Sequence, residues 1–436
     1  MNRYIDFAIR RPFTVFTILA LITIILAPGM LKLKIDNSIE TLMPKHDDKY
    51  IFYNKVKDTY GDNGQFVIMS VSRNDLWSAE TIGMFDDLIS DIEEFETYDE
   101  ERERIRIQGV DAFLSEKTTS RSAILRAFDS DPVFQRTLKR KFDKLFGSTG
   151  ILDRGDLKKL RNELLHLQDL KKLELIDEIA SPLTMIDITG EEDTLEVYDL
   201  VEEDETGKRL IPQTEKEILL FKERLLRNPA FESALYTTNT KTGQITDFGV
   251  VIKFINVEDR DPVARELMEI IKSQKELNIA STGMPIVYVW AVNYIRSDFI
   301  VLVPLVMLVV MFIFYLNFRT LRGVILPFLS LSLAELWVLG LMGHLGFKIT
   351  VMASSLPTLM IAVGSSYSIH ILNQYYADFD MITKGEKRER LKGSMAHISL
   401  TVLLAGITTF IAFMMLVTSE LSAVKEWGLF LSLIHI

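Results

Sequence analysis

Apolar runs long enough to cross a bilayer sit in two separate parts of this chain. One follows Phe13 (TVFTILALITIILAPGMLKL), the others follow Asp298, and a long polar stretch lies between them. A spanning helix needs roughly 20 consecutive apolar residues, and hydrocarbon allows only segments that satisfy their own backbone. A chain so patterned is held at both ends by membrane helices, with whatever folds in water between them. Composition agrees: 48% hydrophobic and 25% charged residues describe neither a soluble domain nor a bare helix bundle, but a mixture that separates along the sequence.

Arg3, Arg10 and Arg11 precede the first run, and no small-residue cleavage site is evident near its end. It reads as an uncleaved anchor with a cytoplasmic N-terminus. The second span reads as Phe299–Phe318, the third as Gly323–Leu345, and the fourth lies within Val351–Tyr376. A polar loop, Asp378–His397, leads to the fifth, Ser399–Thr418, and Trp427–Ile436 begins a sixth that stops after ten residues. That stop implies a sequence that is part of a longer chain. Arg319 and Arg322 fall in one connection, and Lys384, Lys387, Arg388, Arg390 and Lys392 in another. With the N-terminus inside, both clusters also fall inside, as the positive-inside rule requires. The polar region then lies outside the cytoplasm.

The domains expected are 1–33, an N-terminal segment and first span; 34–298, an α+β domain; and 299–436, spans two to six. Phe66–Val71 reads as a strand and Leu76–Phe95 as an amphipathic helix with Leu76, Ile82, Phe85, Leu88, Ile89 and Ile92 on one face. The alternation of Ile105 and Ile107 points to a following strand. The same order returns in Phe248–Val257, Pro262–Lys272 and Asn278–Ser281, so two strand–helix–strand units bracket the domain with internal pseudo-symmetry. Between them a helical insertion is expected over about 112–230, with Leu157, Leu160, Leu164 and Leu167 as a packing stripe and Thr214 with Glu217 as a capping box. The acidic patch Glu191–Glu205 lacks calcium-loop spacing and reads as a solvated loop.

Several function classes fall away. A net charge of −11 opposes nucleic acid as a partner, because neutralising phosphates takes a basic surface. There is no cysteine for thiol, disulfide or cysteine–metal chemistry. Neither a glycine-flanked serine elbow, a His-Glu-x-x-His pair nor a phosphate-binding glycine loop is present, so an enzyme is not expected, and no cofactor is implied.

The fourth span carries the polar residues that need explaining. Leu359–Tyr376 (LMIAVGSSYSIHILNQYY) holds Gly364, Ser365, Ser366, Tyr367, Ser368 and His370 inside an apolar run. Glu335 stands near the middle of the third span, where a carboxylate is costly unless paired, protonated or ion-bound. Thr408 and Thr409 lie near the middle of the fifth. Ser366 and His370 are four residues apart and share a helical face, and an imidazole suits reversible protonation. Glu335 and His370 are the expected titrating pair, with Ser366, Tyr367, Thr408 and Thr409 as hydrogen-bonding or sodium-ligand partners at about the same depth. Polar interhelical packing is the other account of these residues. Gly364, Gly406 and Gly340 read as close-packing positions.

The order of these parts resembles one half of a resistance–nodulation–division (RND) transporter, over nearly the whole chain. GSSYSIHILNQYY is similar to that superfamily's fourth-span motif, and Thr282-Gly283-Met284-Pro285 with Asp298 to its approach to the second span. Thr401–Phe413 with Glu426-Trp427-Gly428 resembles the fifth span and the start of the sixth, and Asp36–Pro44 the lead-in to the outer domain. The likeness is greatest to the lipid-exporting branch of mycobacterial membrane large (MMPL)-type, hopanoid-type and Patched-like proteins. It implies an α-helical multi-span membrane protein with a large α+β extracytoplasmic, porter-like domain between the first and second spans, in a bacterial inner membrane. It further implies gradient-driven export of lipidic or amphiphilic cargo, protons or sodium as coupling ion, and a second half supplied in cis or by a homo-oligomer. Where the superfamily motif carries aspartate before tyrosine, this chain has Ser366, which cannot titrate near neutrality. That departure keeps two other readings open: a sterol-sensing-like lipid-binding or scaffold module, and a half-size protein-translocation accessory.

Overall fold

The computed structural model describes the chain except for residues 1–5, 8–9, 37–42, 45–46, 61–64, 192–193, 206–207, 240, 256–260, 380–386 and 435–436, and the side chains of 60, 189–196, 378–394 and 397. It divides into two compact units, Met1–Val56 with Trp290–Ile436, and Lys57–Val289. Among the described residues, five helical stretches are long and apolar enough to cross a membrane: Pro12–Lys32, Met284–Phe318, Leu321–His344, Ala353–Ala377 and Ile398–Thr418.

Helix α1 (Pro12–Leu26) opens on a proline, whose missing N–H costs nothing in a first turn, and continues as a 3₁₀ segment, Ala27–Lys32. Beyond it, Ile35 bridges Ile349, and Lys348 Nζ reaches Asp36 at 2.8 Å. Residues 37–42 of the Asp36–Pro44 lead-in lie outside the described residues, and Pro44 bridges Leu421. Helix α2 follows (Asp48–Tyr60).

The unit Lys57–Val289 is built on an antiparallel sheet. Strand β1 (Phe66–Ser72) leads to helix α3 (Ala79–Glu93), whose Ser78 cap accepts a bond from Thr81 N. Here the expectation of a strand at Ile105 and Ile107 fails. Asp99 caps a helix, α4 (Glu100–Ala112), which carries acids in its first turn and buries Ile107 and Val110 three residues apart. Ile105 is 58% exposed, so its alternation with Ile107 was fortuitous. Next come β2 (Thr118–Ser120), α5 (Arg121–Ala127), α6 (Pro132–Phe146), β3 (Ile151–Asp153) and α7 (Arg154–Lys171). These helices enclose a core of their own, in which Leu157, Leu160 and Leu164 pack with Phe134, Leu138 and Phe142. The fourth residue of that leucine stripe, Leu167, belongs instead to the core beneath the sheet.

The strand that completes the first β-α-β unit is β4 (Ile176–Ala180). The acidic patch read as a loop is partly a hairpin, β5 (Ile186–Glu191) paired with β6 (Thr194–Asp199), in which Ile188 faces Val197. Helix α8 (Glu215–Arg227) starts at the anticipated Thr214–Glu217 capping box. Then β7 (Tyr236–Thr238), β8 (Ile245–Phe254), α9 (Asp261–Ser273) and β9 (Asn278–Thr282) close the unit. The region 112–230 is therefore less helical than expected, since it adds β4 to the sheet and pairs β2 with β3 and β5 with β6.

In the sheet the order is β4-β8-β1-β9, with β7 also on β8, and every pairing is antiparallel. Each β-α-β unit thus straddles a strand of the other, the split arrangement of ferredoxin-like folds. Val67, Met69 and Val71 of β1 and Phe248, Val250 and Ile252 of β8 present one buried face to Ile82, Phe85 and Ile89 of α3 and to Val263, Leu267 and Ile270 of α9. Gly283, after β9, has φ +124, and a Cβ there would meet Phe66 O at 2.0 Å, so the turn accepts only glycine.

The second membrane stretch begins earlier than its hydropathy indicates. Helix α10 (Met284–Ser297) passes through a π-helical turn, Asp298–Leu302, into α11 (Val303–Phe318). Pro285 is the second residue of α10, and Asp298, expected just before the second span, is an exposed residue of the π turn within the long apolar stretch. Helices α12 (Leu321–His344), α13 (Leu356–Phe379), α14 (Lys387–Met414) and α15 (Ser422–Ile434) follow. Of the polar loop Asp378–His397, residues 387–397 are already helical, while 380–386, with Lys384, are outside the described residues.

Glycines bring α1 and α12 together. A Cβ on Gly29 would lie 2.0 Å from Gly340 O, one on Gly340 2.2 Å from Leu26 O, and one on Gly343 1.8 Å from Gly29 O. Trp337 Nε1 donates to Thr23 Oγ1 at 2.9 Å on the same seam. Gly340 is thus a close-packing position, of the kind small residues provide between membrane helices.

Candidate functional site

Glu335 is the residue around which the polar membrane groups are to be judged. Thr320 caps α12 by accepting from Gly323 N at 3.2 Å, and the helix carries Glu335 past its midpoint. Val338, Leu339 and Met342 follow at three, four and seven residues. All are buried, so Glu335 lies on the helix face that packs with Met360, Phe430 and Leu431. Its side chain is 7% exposed, and Oε2 is buried with no hydrogen-bond partner among the described residues.

The register of α12 against α13 is set by two contacts. Thr320 Oγ1 and Tyr376 Oη are 3.1 Å apart, and a Cβ on Gly364 would meet Leu331 Cδ2 at 2.4 Å. Numbers fall on one helix as they rise on the other, so the two run antiparallel. Glu335 is then level with Met360, while His370 is level with about Leu326, roughly 14 Å away along the axis at 1.5 Å per residue. Ser366 and His370 do share a face, as their spacing requires, but that face is exposed. The structure does not bring His370 to Glu335.

What it brings together is different. Ser330, Leu331 and Ala334 of α12, Met360, Gly364 and Tyr367 of α13, and Ile434 of α15 line a cavity of about 170 Å³. Tyr367 Oη donates to Thr409 Oγ1 of α14 at 3.4 Å, and Thr409 donates in turn to Ala405 O at 2.9 Å. Thr408 is exposed, its hydroxyl turned back to Ala405 O at 2.8 Å. Gly364 forms cavity wall, where any side chain would displace Leu331. Gly283 precedes and Pro285 opens the long second stretch, and Asp298 stands at the π-helical turn within it.

One residue of interest escaped the sequence reading. Trp427 Nε1 donates to Ser355 Oγ at 3.1 Å, and Ile434 shares the cavity with Gly364, so α15 runs alongside α13 in the same direction. That puts Ser432 at the level of Met360 and hence of Glu335. Ser432 is fully buried and donates to Leu429 O at 2.6 Å. Its signal was weak, a lone serine in an apolar helix that could as easily bond its own backbone.

Glu335 does not itself line this cavity, but Leu331 and Ala334, one turn and one residue before it on α12, do, and the hydroxyls of Ser330 and Tyr367 belong to the same lining. A carboxylate so placed is stable when it is protonated or holds a cation, and both are reversible. Residues 256–433 of the chain match the model of the MMPL family. No curated protein matches it.

Proposed function

We propose that this chain, whose residues 256–433 match the MMPL family model, is an RND-type secondary transporter that moves lipidic or amphiphilic molecules at the expense of an ion gradient. The observation that carries the coupling is the unpartnered, buried Oε2 of Glu335 at mid-span. Taking up a proton or sodium ion there removes the cost of the buried charge, and releasing it restores that cost. Two states of the helix packing that differ in access to Glu335 would then differ in free energy with ion occupancy, which is what coupling requires. The cavity beside Leu331 and Gly364 supplies room for water or an ion, and Tyr367 with Thr409 ties α13 to α14 next to it. In this scheme Glu335 takes the role that Ser366 cannot. His370 lies about two and a half turns from that level, toward the end of the bundle that carries Arg319 and Tyr376.

The unit Lys57–Val289 is on this reading periplasmic, porter-like and the contact surface for cargo, with the membrane block in the bacterial inner membrane and its N-terminus cytoplasmic. A partner half, in cis or as a second copy, completes the pathway. The test uses the full chain in liposomes containing a fluorescent phospholipid analogue, with a proton or a sodium gradient imposed. Gradient-dependent transfer of the analogue in the wild type and its loss in Glu335→Gln is the expected result. Transfer that ignores both gradients, or a Glu335→Gln variant as responsive as wild type, overturns the proposal. A lipid-binding module without transport draws support from Ser366 alone, and it predicts analogue binding that no gradient changes.

A further inference from the structure

The unit Lys57–Val289 contains a second cavity, unrelated to Glu335. It holds about 430 Å³, within the range of small-molecule sites, and lies where α6 passes α3 and the C-terminal end of α9. Six cationic side chains line it, Arg136, Lys139, Arg140, Lys144, Lys272 and Lys275, against three acidic ones, Asp91, Asp143 and Glu269. In a chain with a net charge of −11 this is a local reversal of sign.

The three acids are already engaged. Asp91, fully buried, accepts from Arg136 Nε at 2.8 Å and from Arg140. Glu269 accepts from Lys144 Nζ at 2.6 Å, and Asp143 accepts from Arg121 at 2.7 Å. Lys139, Lys272 and Lys275 have no carboxylate partner among the described residues, and all three are exposed residues that line the cavity. The frame beneath them is held by a buried ion pair, in which Lys141 Nζ donates to both oxygens of Glu266 at 2.7 and 2.8 Å and so clamps α6 to α9. Uncommitted positive charge thus converges on a cavity whose walls cannot easily rearrange to neutralise it.

We propose that this cavity is a binding site for a phosphate-bearing organic anion, with Lys139, Lys272 and Lys275 as the groups that neutralise the phosphate. Ammonium–phosphate bonds are charge-assisted and strong for their size, and three of them match the three terminal oxygens of a phosphomonoester and more than neutralise its charge of about −2. The cavity is far larger than a phosphate ion, so the remainder of the ligand fills the space over Ser273 and Gln274. Nothing in this assignment depends on ion coupling, and binding is read with no gradient present.

The experiment is calorimetric titration of the full chain in detergent, at low ionic strength, with two probes: dihexanoyl phosphatidic acid as a soluble lipid and inorganic phosphate. The expected result is saturable, salt-sensitive binding of the lipid, weakened about tenfold or more in a Lys139→Gln, Lys272→Gln, Lys275→Gln variant whose melting is unchanged. A matched variant, Lys158→Gln, Lys216→Gln, Lys241→Gln, removes equal charge outside the cavity and keeps wild-type affinity. Tighter binding of the lipid than of phosphate identifies a headgroup as the ligand, and equal binding identifies the phosphate itself. Lack of saturable binding by either probe overturns the site, as does equal weakening in the two triple variants. Should the first triple variant melt early, Lys139→Glu alone serves, and wild-type affinity in that variant overturns the site as well.

Discussion

Buried charge is handled in opposite ways by the two units. In Lys57–Val289, Arg106 is 2% exposed and donates to Glu94, Glu103 and Asp131, while Lys171 joins Glu94 and Glu103 from the other side. Arg209 likewise engages Asp86 and Glu93, and Lys141 engages Glu266. Each of these ions has answering partners, so the networks cross-link helices and hold one protonation state. In the membrane block Glu335 is as well buried, yet one of its oxygens has no partner among the described residues. A paired ion is fixed in its state, and an unpaired one is free to change it. The contrast separates paired scaffold ions from the one buried carboxylate oxygen of the membrane block without a partner among the described residues, which is where the proposed coupling rests.

Removing a charge should therefore act in opposite directions in the two places. Arg106→Ala strands Glu94, Glu103 and Asp131, and a loss on the order of 3–5 kcal/mol is expected from denaturant unfolding of the full chain in detergent. Glu335→Leu removes an unsatisfied group and should leave the melting of the membrane block unchanged or raise it, by up to about 2 kcal/mol. A destabilised Glu335→Leu together with a neutral Arg106→Ala would erase the distinction.

Acid sharpens the same comparison. Burial by itself would raise the Glu94 carboxyl, but the Lys171 ammonium and Arg106 guanidinium overcome this and hold it at about 2, below its ordinary 4.5. Asp131 is also held at about 2 rather than 3.8, where the bond from Arg106 outweighs burial. Both folded values lie below the unfolded ones, so their stabilisation is complete above about pH 4.5 and is lost as pH falls toward 2. Melting followed from pH 6 to pH 2.5 should fall mainly in that window, and Glu94→Gln should flatten the fall.

Smaller effects probe the packing around Glu335. Gly340→Ala forces a methyl against Leu26 O, a backbone atom that cannot step aside, and roughly 1–3 kcal/mol of destabilisation is expected in thermal melting. Tyr367→Phe removes one long interhelical bond to Thr409, worth about 0.6 kcal/mol by comparison with other membrane proteins. Its melting should barely move, while any gradient response changes if the Tyr367–Thr409 tie takes part in coupling.

Much of the architecture was written in local patterns. Most span positions follow from apolar length, though the second stretch begins before the apolar run that marks it; α3 and α9 follow from apolar spacing, and the Thr214–Glu217 cap from two side chains three residues apart. Local pattern misled where a segment's fate rests on distant partners. Ile105 and Ile107 alternate like a strand but lie in a helix set by Asp99, and β4 hides in a charged stretch because β8 supplies its pairing.

The polar membrane residues divide along the same line. That Ser366 and His370 share a face, and that Glu335 sits at mid-span, are consequences of helix pitch and counting. Which of them meet is a matter of how α12, α13 and α15 slide past one another. That register is fixed by Leu331 against Gly364, Thr320 against Tyr376 and Trp427 against Ser355, contacts between residues far apart in the chain. They set Glu335 beside Met360 and Ser432 and leave His370 roughly 14 Å away, because helix pitch acts within a segment and only packing relates one segment to the next.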